Sequence, residues 1–115
     1  MRTIIAGSRG IHDYALVEQA ILESGFDITT VVCGGAQGID TLGEIWAKSH
    51  GIPIEYYIPQ WQTYGKSAGM RRNRKMADNA DALIVIILDD SRGSVNMLAE
   101  AKDRDLKIYE KRIYS

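Results

Sequence analysis

The chain is poor in the residues that crosslink proteins or bind transition metals. Its single cysteine, Cys33, excludes an intramolecular disulfide in a chain of 115 residues. The two histidines, His12 and His50, lie far from each other and from Cys33, so no zinc-ligand spacing is present. We therefore expect no metal and no other cofactor. The low cysteine content favours a reducing, cytoplasmic setting.

Long apolar runs and an excess of either charge are also absent. The longest apolar run, Ala82 to Leu88, has seven residues, whereas a bilayer span needs about 20. We expect no membrane partner and no signal peptide, because the apolar part of the N-terminus is too short for one. The 14 Lys+Arg and 15 Asp+Glu residues give a net charge of -1. That balance gives no reason to expect a polyanion as a partner of the whole molecule.

The chain does have the composition and patterning of one globular domain. With 45% apolar and 25% charged residues, global disorder is excluded, and 115 residues fit a single domain spanning residues 1–115. Strands are predicted at Thr3–Ala6, Thr29–Cys33, Pro53–Ile58, Ala82–Leu88 and Leu106–Glu110. Helices are predicted at about Asp13–Ser24, Thr41–His50, Ser67–Asn79 and Ser94–Arg104, with a loop from Pro59 to Gly65.

Strands that alternate with helices predict a parallel sheet with right-handed crossovers. At this size we expect an α/β fold, a three-layer, Rossmann-like doubly wound sheet of about five strands in the order 3-2-1-4-5. The flavodoxin-like order 2-1-3-4-5 is the alternative. In both, ligands bind at the carboxyl ends of the strands, beside the topological switch point.

The second predicted helix shows an N-terminal capping pattern. Residues Thr41 to Glu44 fit a capping box, in which the first and last side chains pair with each other's backbone N–H groups. The predicted inner face of this helix consists of Leu42, Ile45, Trp46 and Ser49.

Three loops follow strands one, two and four and lead into helices. They are rich in glycine and small hydroxyl residues, and they comprise residues 7–10, 34–40 and 89–94. Glycines let backbone N–H groups approach a phosphate, and a helix N-terminus adds partial positive charge. Strand-to-helix turns use Gly and Ser in any case, so one such loop says little. Three such loops on one edge of the sheet favour a phosphate or ribose site. The candidate ligand-binding residues in these loops are Gly7, Ser8, Arg9, Gly34, Gly35, Gly38, Asp40, Ser91, Gly93 and Ser94.

The third predicted helix and the segment before it concentrate positive charge. Five cations lie within ten residues: Lys66, Arg71, Arg72, Arg74 and Lys75. A solvated helix face is the usual interpretation of such a run, and the alternative is that part of it faces the loops and binds phosphate. Trp61 and Tyr64, which precede the cluster, are candidates to stack on a base or to pack as a lid.

Asp40 is the carboxylate of greatest interest, because it follows Gly38 at the start of a predicted helix. Helix N-capping is at least as good an interpretation of this position as a role in chemistry.

These residues resemble the SLOG superfamily, a Rossmann-like group that includes the Smf/DprA DNA-processing proteins and the LOG nucleotide phosphoribohydrolases. The closest resemblance is to its small YspA/cpYpsA-related branch of bacterial and phage proteins. The residues that carry it are Gly7-Ser8-Arg9, the loop Gly34–Asp40, Trp61 with Gly65, Arg72-Asn73-Arg74 with Met76, and Ser91–Ser94.

The resemblance implies a nucleotide-related ligand held by the three loops, with Arg72 and Asn73 contributing. LOG enzymes carry Pro-Gly-Gly-x-Gly-Thr-x-x-Glu after the fourth strand. Gly93 and Ser94 match its Gly-Thr, but Met97 stands where the catalytic Glu would be. Arg72 falls near the LOG catalytic Arg, so the candidate catalytic set is Arg72 with Asp40 or Glu100 in place of the missing Glu.

Three functions are open at this point. The favoured one is a module that binds or senses a nucleotide or a nucleotide-derived phosphorylated ligand. The alternatives are a nucleoside-monophosphate phosphoribohydrolase and a protein that binds single-stranded nucleic acid as DprA does. A homo-oligomer is expected because a five-strand sheet of this size has a limited core, and the family resemblance implies a dimer.

Overall fold

The computed structural model describes residues 1–115, and five segments of the chain are β-strands. They are β1 (Arg2–Gly7), β2 (Thr30–Cys33), β3 (Ile54–Tyr56), β4 (Ala82–Leu88) and β5 (Lys107–Ile113). All neighbouring strands pair in parallel, in the order β3-β2-β1-β4-β5. The predicted order 3-2-1-4-5 is confirmed, and the flavodoxin-like alternative is excluded.

Helices cover both faces of the sheet. They are α1 (Tyr14–Ser24), α2 (Ile39–Ser49), α3 (Trp61–Tyr64), α4 (Ala68–Asp78) and α5 (Arg92–Asp103), with a 3₁₀ turn at Gly65–Ser67. One buried apolar cluster joins α1 and α2 to the sheet, and a second joins α4 and α5 to the opposite face. The three-layer arrangement is therefore confirmed. None of the helices combines the length and the apolar character that a membrane crossing requires.

Strand β4 is the central element of the core. It pairs with β1 on one side and with β5 on the other. Six of its seven residues are buried, and its side chains alternate between the two clusters: Leu83 and Val85 face α4 and α5, whereas Ile84 and Ile86 face α1 and α2. Burial on both faces explains why this strand is apolar without alternation.

Helix α2 begins differently from the prediction. The proposed capping box at Thr41 is wrong, because the helix already begins at Ile39 and its N-cap is Gly38. Thr41 Oγ1 instead donates a hydrogen bond to the carbonyl of Ala36 at 3.0 Å. Gly38 has φ of +76°, which lets the chain turn into the helix two residues earlier than the side-chain pattern indicates.

The inner face of α2 is also corrected by this shift. Ile45 is 48% exposed, and Ser49 is exposed as well. The buried positions are Ile39, Asp40, Gly43, Trp46 and Ala47. Gly43 contributes because a Cβ there would lie 2.8 Å from Cγ2 of Ile5, so its absence lets α2 approach β1 closely.

Other element boundaries differ from the prediction at the edges of the sheet and in the cationic region. The predicted loop 59–65 contains helix α3, and α4 begins at Ala68 after the 3₁₀ turn. Strand β5 continues to Ile113 because it pairs with β4 along its whole length. Helix α5 begins two residues earlier than expected, at Arg92.

Candidate functional site

A cavity of about 360 Å³ opens at the carboxyl edge of the sheet, beside the ends of β1 and β4. This is the topological switch point, because the chain runs outward from β1 through β2 to β3 and then crosses to β4. Its volume lies at the lower end of the range for small-molecule sites, about 300–1,000 Å³. The lining residues are Ala6, Gly7, Ser8, Arg9, Gly10, Ala36, Asp40, Arg72, Asn73, Met76, Leu88, Ser91, Gly93, Ser94 and Met97.

The loop after β1 is held against the end of β4. The hydroxyl of Ser8 accepts a hydrogen bond from the backbone N–H of Leu88 at 2.8 Å and shares a second hydrogen bond with the hydroxyl of Ser91 at 2.5 Å. A Cβ at Gly7 would lie 2.3 Å from the carbonyl oxygen of Ile86, so only glycine permits this approach. Two of the three glycine- and serine-rich loops therefore meet directly.

The N-terminus of α5 presents unoccupied donors to the cavity. Ser91 precedes the helix but its side chain does not cap it, and the first turn contains no acidic residue. The backbone N–H groups of this turn have no carbonyl partner within the helix. Together with the helix dipole, they make the start of α5 favourable for an anion.

Ser94 adds a side-chain donor in the same turn. The residue is 6% exposed and lines the cavity, and its hydroxyl forms no hydrogen bond within the chain. Because no fully enclosed side-chain oxygen or nitrogen of the protein lacks a partner, this free hydroxyl opens onto the cavity. A cavity-facing donor without a partner in the chain is available to an acceptor on a ligand.

The N-terminus of α2 already carries a negative group. Asp40 lies in its first turn, is 4% exposed and accepts a hydrogen bond from the backbone N–H of Ala36 at 3.3 Å. Burial raises the pKa of Asp40 to about 6, while the charge of Arg72 and the backbone N–H groups of Ala36 and Gly7 act in the opposite direction. Of the two helix starts at the cavity, α5 is thus the one open to an anion.

Arg72 connects α4 to the loop after β2. Its Nη1 donates a short hydrogen bond to the carbonyl of Gly34, and its Nε donates to Oδ1 of Asn73 at 3.0 Å. Burial lowers the pKa of Arg72, and the nearby carboxylate of Asp40 opposes that shift. Arginine stays charged under such conditions, so Arg72 supplies positive charge to the cavity without forming a direct ion pair with Asp40.

Asn73 connects α4 to the start of α5. Its Nδ2 donates to the carbonyl of Gly93 at 3.3 Å and to Oδ1 of Asn96 at 2.9 Å. The side chain therefore fixes the position of the first turn of α5 relative to Arg72.

Most of the sequence-predicted ligand-binding residues meet at this cavity. Gly7, Ser8, Arg9, Asp40, Arg72, Asn73, Ser91, Gly93 and Ser94 all line it. The remaining three shape the loop around it instead. Gly34 accepts from Arg72, Gly35 packs against Ile58, and Gly38 packs against the backbone of the β1 loop.

The structure does not bring Glu100 to the cavity. Its carboxylate pairs with Arg104 at 2.7 Å and with Arg74 at 3.7 Å, on the outer side of α4 and α5. Asp40 is therefore the sole acidic side chain of the cavity. Met97, at the position of the LOG glutamate, lines the cavity as an apolar residue.

Neither aromatic candidate lines the cavity, and one of them, Tyr64, lies at a second, more open groove of about 270 Å³. Tyr64 lines it, and the guanidinium of Arg71 lies 4.3 Å from the centre of the Tyr64 ring. Trp61 is 50% exposed and packs near Gly69. The groove also contains Arg72, Arg74 and Lys75, so the cationic cluster of the sequence divides between water, this groove and the cavity.

Sequence reasoning missed part of the apolar wall of the cavity. Met76 and Leu88 line it, and neither carries a polar group that marks a site. Helical spacing could have identified Met76. It lies three residues after Asn73 and four after Arg72, so it shares their side of α4.

The parallel sheet, its helices on both faces and the anion-favouring helix start at its switch point make this protein a Rossmann-like α/β protein. The family model described as the YspA, cpYpsA-related SLOG family, YAcAr, matches residues 1–64. The chain belongs to this family, which confirms the resemblance identified from its motifs.

Two further comparisons found similar proteins. The Gene 61 protein of Mycobacterium phage D29 is 29% identical over 117 residues, covering 93% of this chain and 93% of the phage protein. Among solved structures, DNA processing protein A (DprA) from Streptococcus pneumoniae is similar with a TM-score of 0.76 and 20% identity, covering 95% of this chain and 49% of DprA. The chain thus spans about half the length of DprA, and the likeness shows a shared fold.

Proposed function

We propose that this protein binds a nucleotide or a nucleotide-derived phosphorylated ligand in the cavity at the carboxyl edge of the sheet, as a binding or sensing module. Membership of the SLOG family and the DprA-like fold support a role related to nucleotides or nucleic acids. The phosphate occupies the start of α5, where Ser94 and the first-turn N–H groups donate to it. Arg9 and Arg72 supply balancing positive charge.

The observation that carries this proposal is the unpartnered hydroxyl of Ser94. Ser94 is a buried residue whose hydroxyl opens onto the cavity, and it lies in the first turn of a helix that has neither a side-chain cap nor an acidic residue there. A phosphate in the cavity can accept hydrogen bonds from this hydroxyl and from the unpaired N–H groups together.

Calorimetric titration of the protein with AMP, GMP and CMP tests the proposal, after a thermal-shift screen that also includes cyclic ADP-ribose-type ligands. We expect Ser94→Ala to weaken binding about tenfold or more, because hydrogen bonds to a charged group are strong. Ser49→Ala is the matched control, since Ser49 is exposed at the C-terminal end of α2, away from the cavity. Absence of any binder at millimolar concentration contradicts the proposal.

A second candidate function is N-glycosidic cleavage of a nucleoside monophosphate. One observation favours it: Asp40, the sole carboxylate of the cavity, lies near Arg72 and has a raised pKa. A carboxylate of this kind can stabilise an oxocarbenium-like transition state or activate water. Incubation with AMP, GMP or CMP would then release free base, and Arg72→Ala would abolish the release. Detection of no free base excludes this activity for those substrates.

The groove beside Tyr64 favours binding of a single nucleic-acid strand as a third candidate. Arg71, Arg74 and Lys75 line it together with an aromatic ring, the combination that single-strand sites use. A gel-shift assay at low salt tests this, and affinity should fall steeply as salt is added. Arg74→Ala should weaken that binding and leave AMP binding in the cavity unchanged.

A further inference from the structure

The cavity combines two opposite chemistries at its two sides. At the start of α5 it offers donors: the free hydroxyl of Ser94 and the N–H groups of an uncapped helix turn. At the start of α2 it offers an acceptor, the carboxylate of Asp40. A ligand that is anionic throughout can pair only with the donors at the start of α5. The carboxylate at the start of α2 therefore restricts which ligands fit the cavity.

Asp40 is short of hydrogen bonds for a buried carboxylate. It is 4% exposed and accepts a long hydrogen bond of 3.3 Å from the backbone N–H of Ala36, with the backbone N–H of Gly7 also directed at it. A carboxylate can accept about four hydrogen bonds. Because Asp40 lines the cavity, its remaining capacity is available to a ligand there.

The charge around Asp40 restricts what can use this capacity. A second phosphate or a carboxylate would face the Asp40 charge directly, and like charges at close range are unfavourable. A ligand ammonium group would be repelled by Arg72 and Arg9, both of which contribute positive charge at Asp40. The environment therefore suits a neutral donor, and a sugar hydroxyl is the neutral donor that lies close to a phosphate in nucleotides.

We propose that Asp40 accepts hydrogen bonds from the vicinal hydroxyls of a ribose whose phosphate lies at the start of α5, so that the cavity selects ribose phosphates over their 2-deoxy counterparts. This specificity rests on the proposed function. A carboxylate recognises a vicinal diol well because its two oxygens can each accept one hydroxyl, as acidic residues do in dinucleotide-binding folds. A 2-deoxy sugar leaves part of the buried acceptor unpaired, and sites built this way reject the analogue that lacks the donor.

The geometry gives Asp40 a fixed position relative to the β1 loop. It lies in the first turn of α2, and that helix starts at Gly38, where a Cβ would be 2.4 Å from the carbonyl oxygen of Ser8. Ser8 is itself hydrogen-bonded to Ser91 at the start of α5. The acceptor and the donors are thus held by one continuous set of contacts, which is what selection between similar sugars requires.

The test is calorimetric titration of the full chain with ribose 5-phosphate, 2-deoxyribose 5-phosphate and inorganic phosphate at pH 7.5. We expect ribose 5-phosphate to bind roughly tenfold or more tightly than the 2-deoxy sugar. Asp40→Asn should reduce that ratio to about threefold or less. Asp103→Asn makes the same change of charge at an exposed position of α5 and should preserve the ratio.

The possible failures are distinguishable. If the wild-type protein binds both sugar phosphates equally, and Ser94→Ala weakens both, the phosphate site stands and selection by Asp40 is overturned. Selectivity that persists in Asp40→Asn also overturns it. If none of the three probes binds and no nucleoside monophosphate binds either, the proposed function itself fails. If the Asp40→Asn variant does not fold, the ratio of the two sugar-phosphate affinities of the wild-type protein still tests the proposal.

Discussion

Asp40 is an acid placed where its charge is poorly solvated. The groups that face it are Arg72 of α4, Arg9 of the β1 loop and the thiol of Cys33 on β2. Burial raises the pKa of Cys33 to about 11, so the thiol is neutral near pH 7. The two arginines therefore supply the compensating charge, and desolvation still outweighs them.

This imbalance predicts a pH dependence of stability. The pKa of Asp40 is about 6 in the folded protein and 3.8 when unperturbed. Between those values the folded chain holds a proton that the unfolded chain releases, so this residue makes the protein less stable as pH rises through the window. The full effect is at most roughly 3 kcal/mol, at 1.36 kcal/mol for each pKa unit.

Urea unfolding of the wild type and of Asp40→Asn between pH 4 and 7.5 measures this effect. We expect Asp40→Asn to gain stability relative to the wild type as pH rises. The difference in unfolding free energy between the two proteins removes the contribution of other acids such as Glu55. The lowered pKa of Glu55 would otherwise make stability rise with pH. Asp103→Asn should show no such trend. A difference between wild type and Asp40→Asn that is independent of pH would contradict the assigned burial.

Gly93 allows the anion site to be blocked without harming the fold. It is not in the left-handed region, and a Cβ there meets nothing within 4 Å. An acidic side chain in the first turn also favours the helix dipole. We expect Gly93→Asp to raise or preserve the melting temperature while weakening AMP binding at least tenfold. Gly93→Ala should keep most of the binding. If Gly93→Asp binds AMP as the wild type does, the phosphate is not at α5.

The sequence identified individual site residues well where a local motif supported them. Ser8, Ser94 and Arg72 lie in motifs with a phosphate-binding logic, and all three line the cavity. Glu100 was a candidate because it lies one turn beyond Met97, but its partner Arg104 follows one turn later and holds it outside. The pair of Glu100 with Arg104 is an i, i+4 pair that the sequence itself contains, whereas the contact of Glu100 with Arg74 depends on the packing of α4 against α5.

At the level of elements, the start of α2 shows where pattern reasoning fails. A capping box is a side-chain signal, and the sequence offers one at Thr41. The backbone instead turns at Gly38, because its close packing against the carbonyls of Ser8 and Arg9 leaves no room for a Cβ. The contact joins residues about 30 apart in the chain, so it belongs to the tertiary fold and its helix boundary could not be inferred from the sequence.

This contact gives a testable difference between two glycines with positive φ. Gly38→Ala should lower the free energy of unfolding by about 2 kcal/mol or more, because it combines an unfavourable conformation with a clash against backbone atoms. Gly51→Ala is the control: its φ is +66°, but a Cβ there meets nothing within 4 Å. Equal destabilisation of the two variants, measured by urea unfolding, would contradict a structural role for the contact between the loops.

At the scale of the whole molecule, the strand order was predictable because alternation and handedness leave few topologies. The apolar run of β4 marked an interior strand of the sheet, and the long connection after β3 fits the crossing back to the other side of β1. The extent of β5 was not predictable, because Lys111 and Arg112 are two consecutive charged residues without a strand pattern, and they extend the strand by pairing with β4. The net charge of -1 is an average over a molecule with a positive groove and a small cavity that contains both positive and negative side chains.

The homo-dimer stays a prediction, and the surface suggests where to test it. Five of the nine large apolar side chains that are exposed lie between residues 56 and 70, beside the short edge strand β3. We expect sedimentation velocity to show a dimer that Ile58→Gln weakens. Leu22→Gln, at an exposed position of α1, is the control and should leave the dimer intact. A protein that sediments as a monomer at all concentrations contradicts the expectation.

The most direct test of the central claim is an amide ¹H–¹⁵N titration of the full chain with AMP. It reports on the donors themselves and separates the cavity from the groove at α4. The proposed phosphate position predicts saturable shifts that are largest at the backbone amides of Arg92, Gly93 and Ser94. No saturable shift at these three amides up to millimolar AMP, or shifts confined to the groove residues Arg71, Arg74 and Lys75, would contradict it.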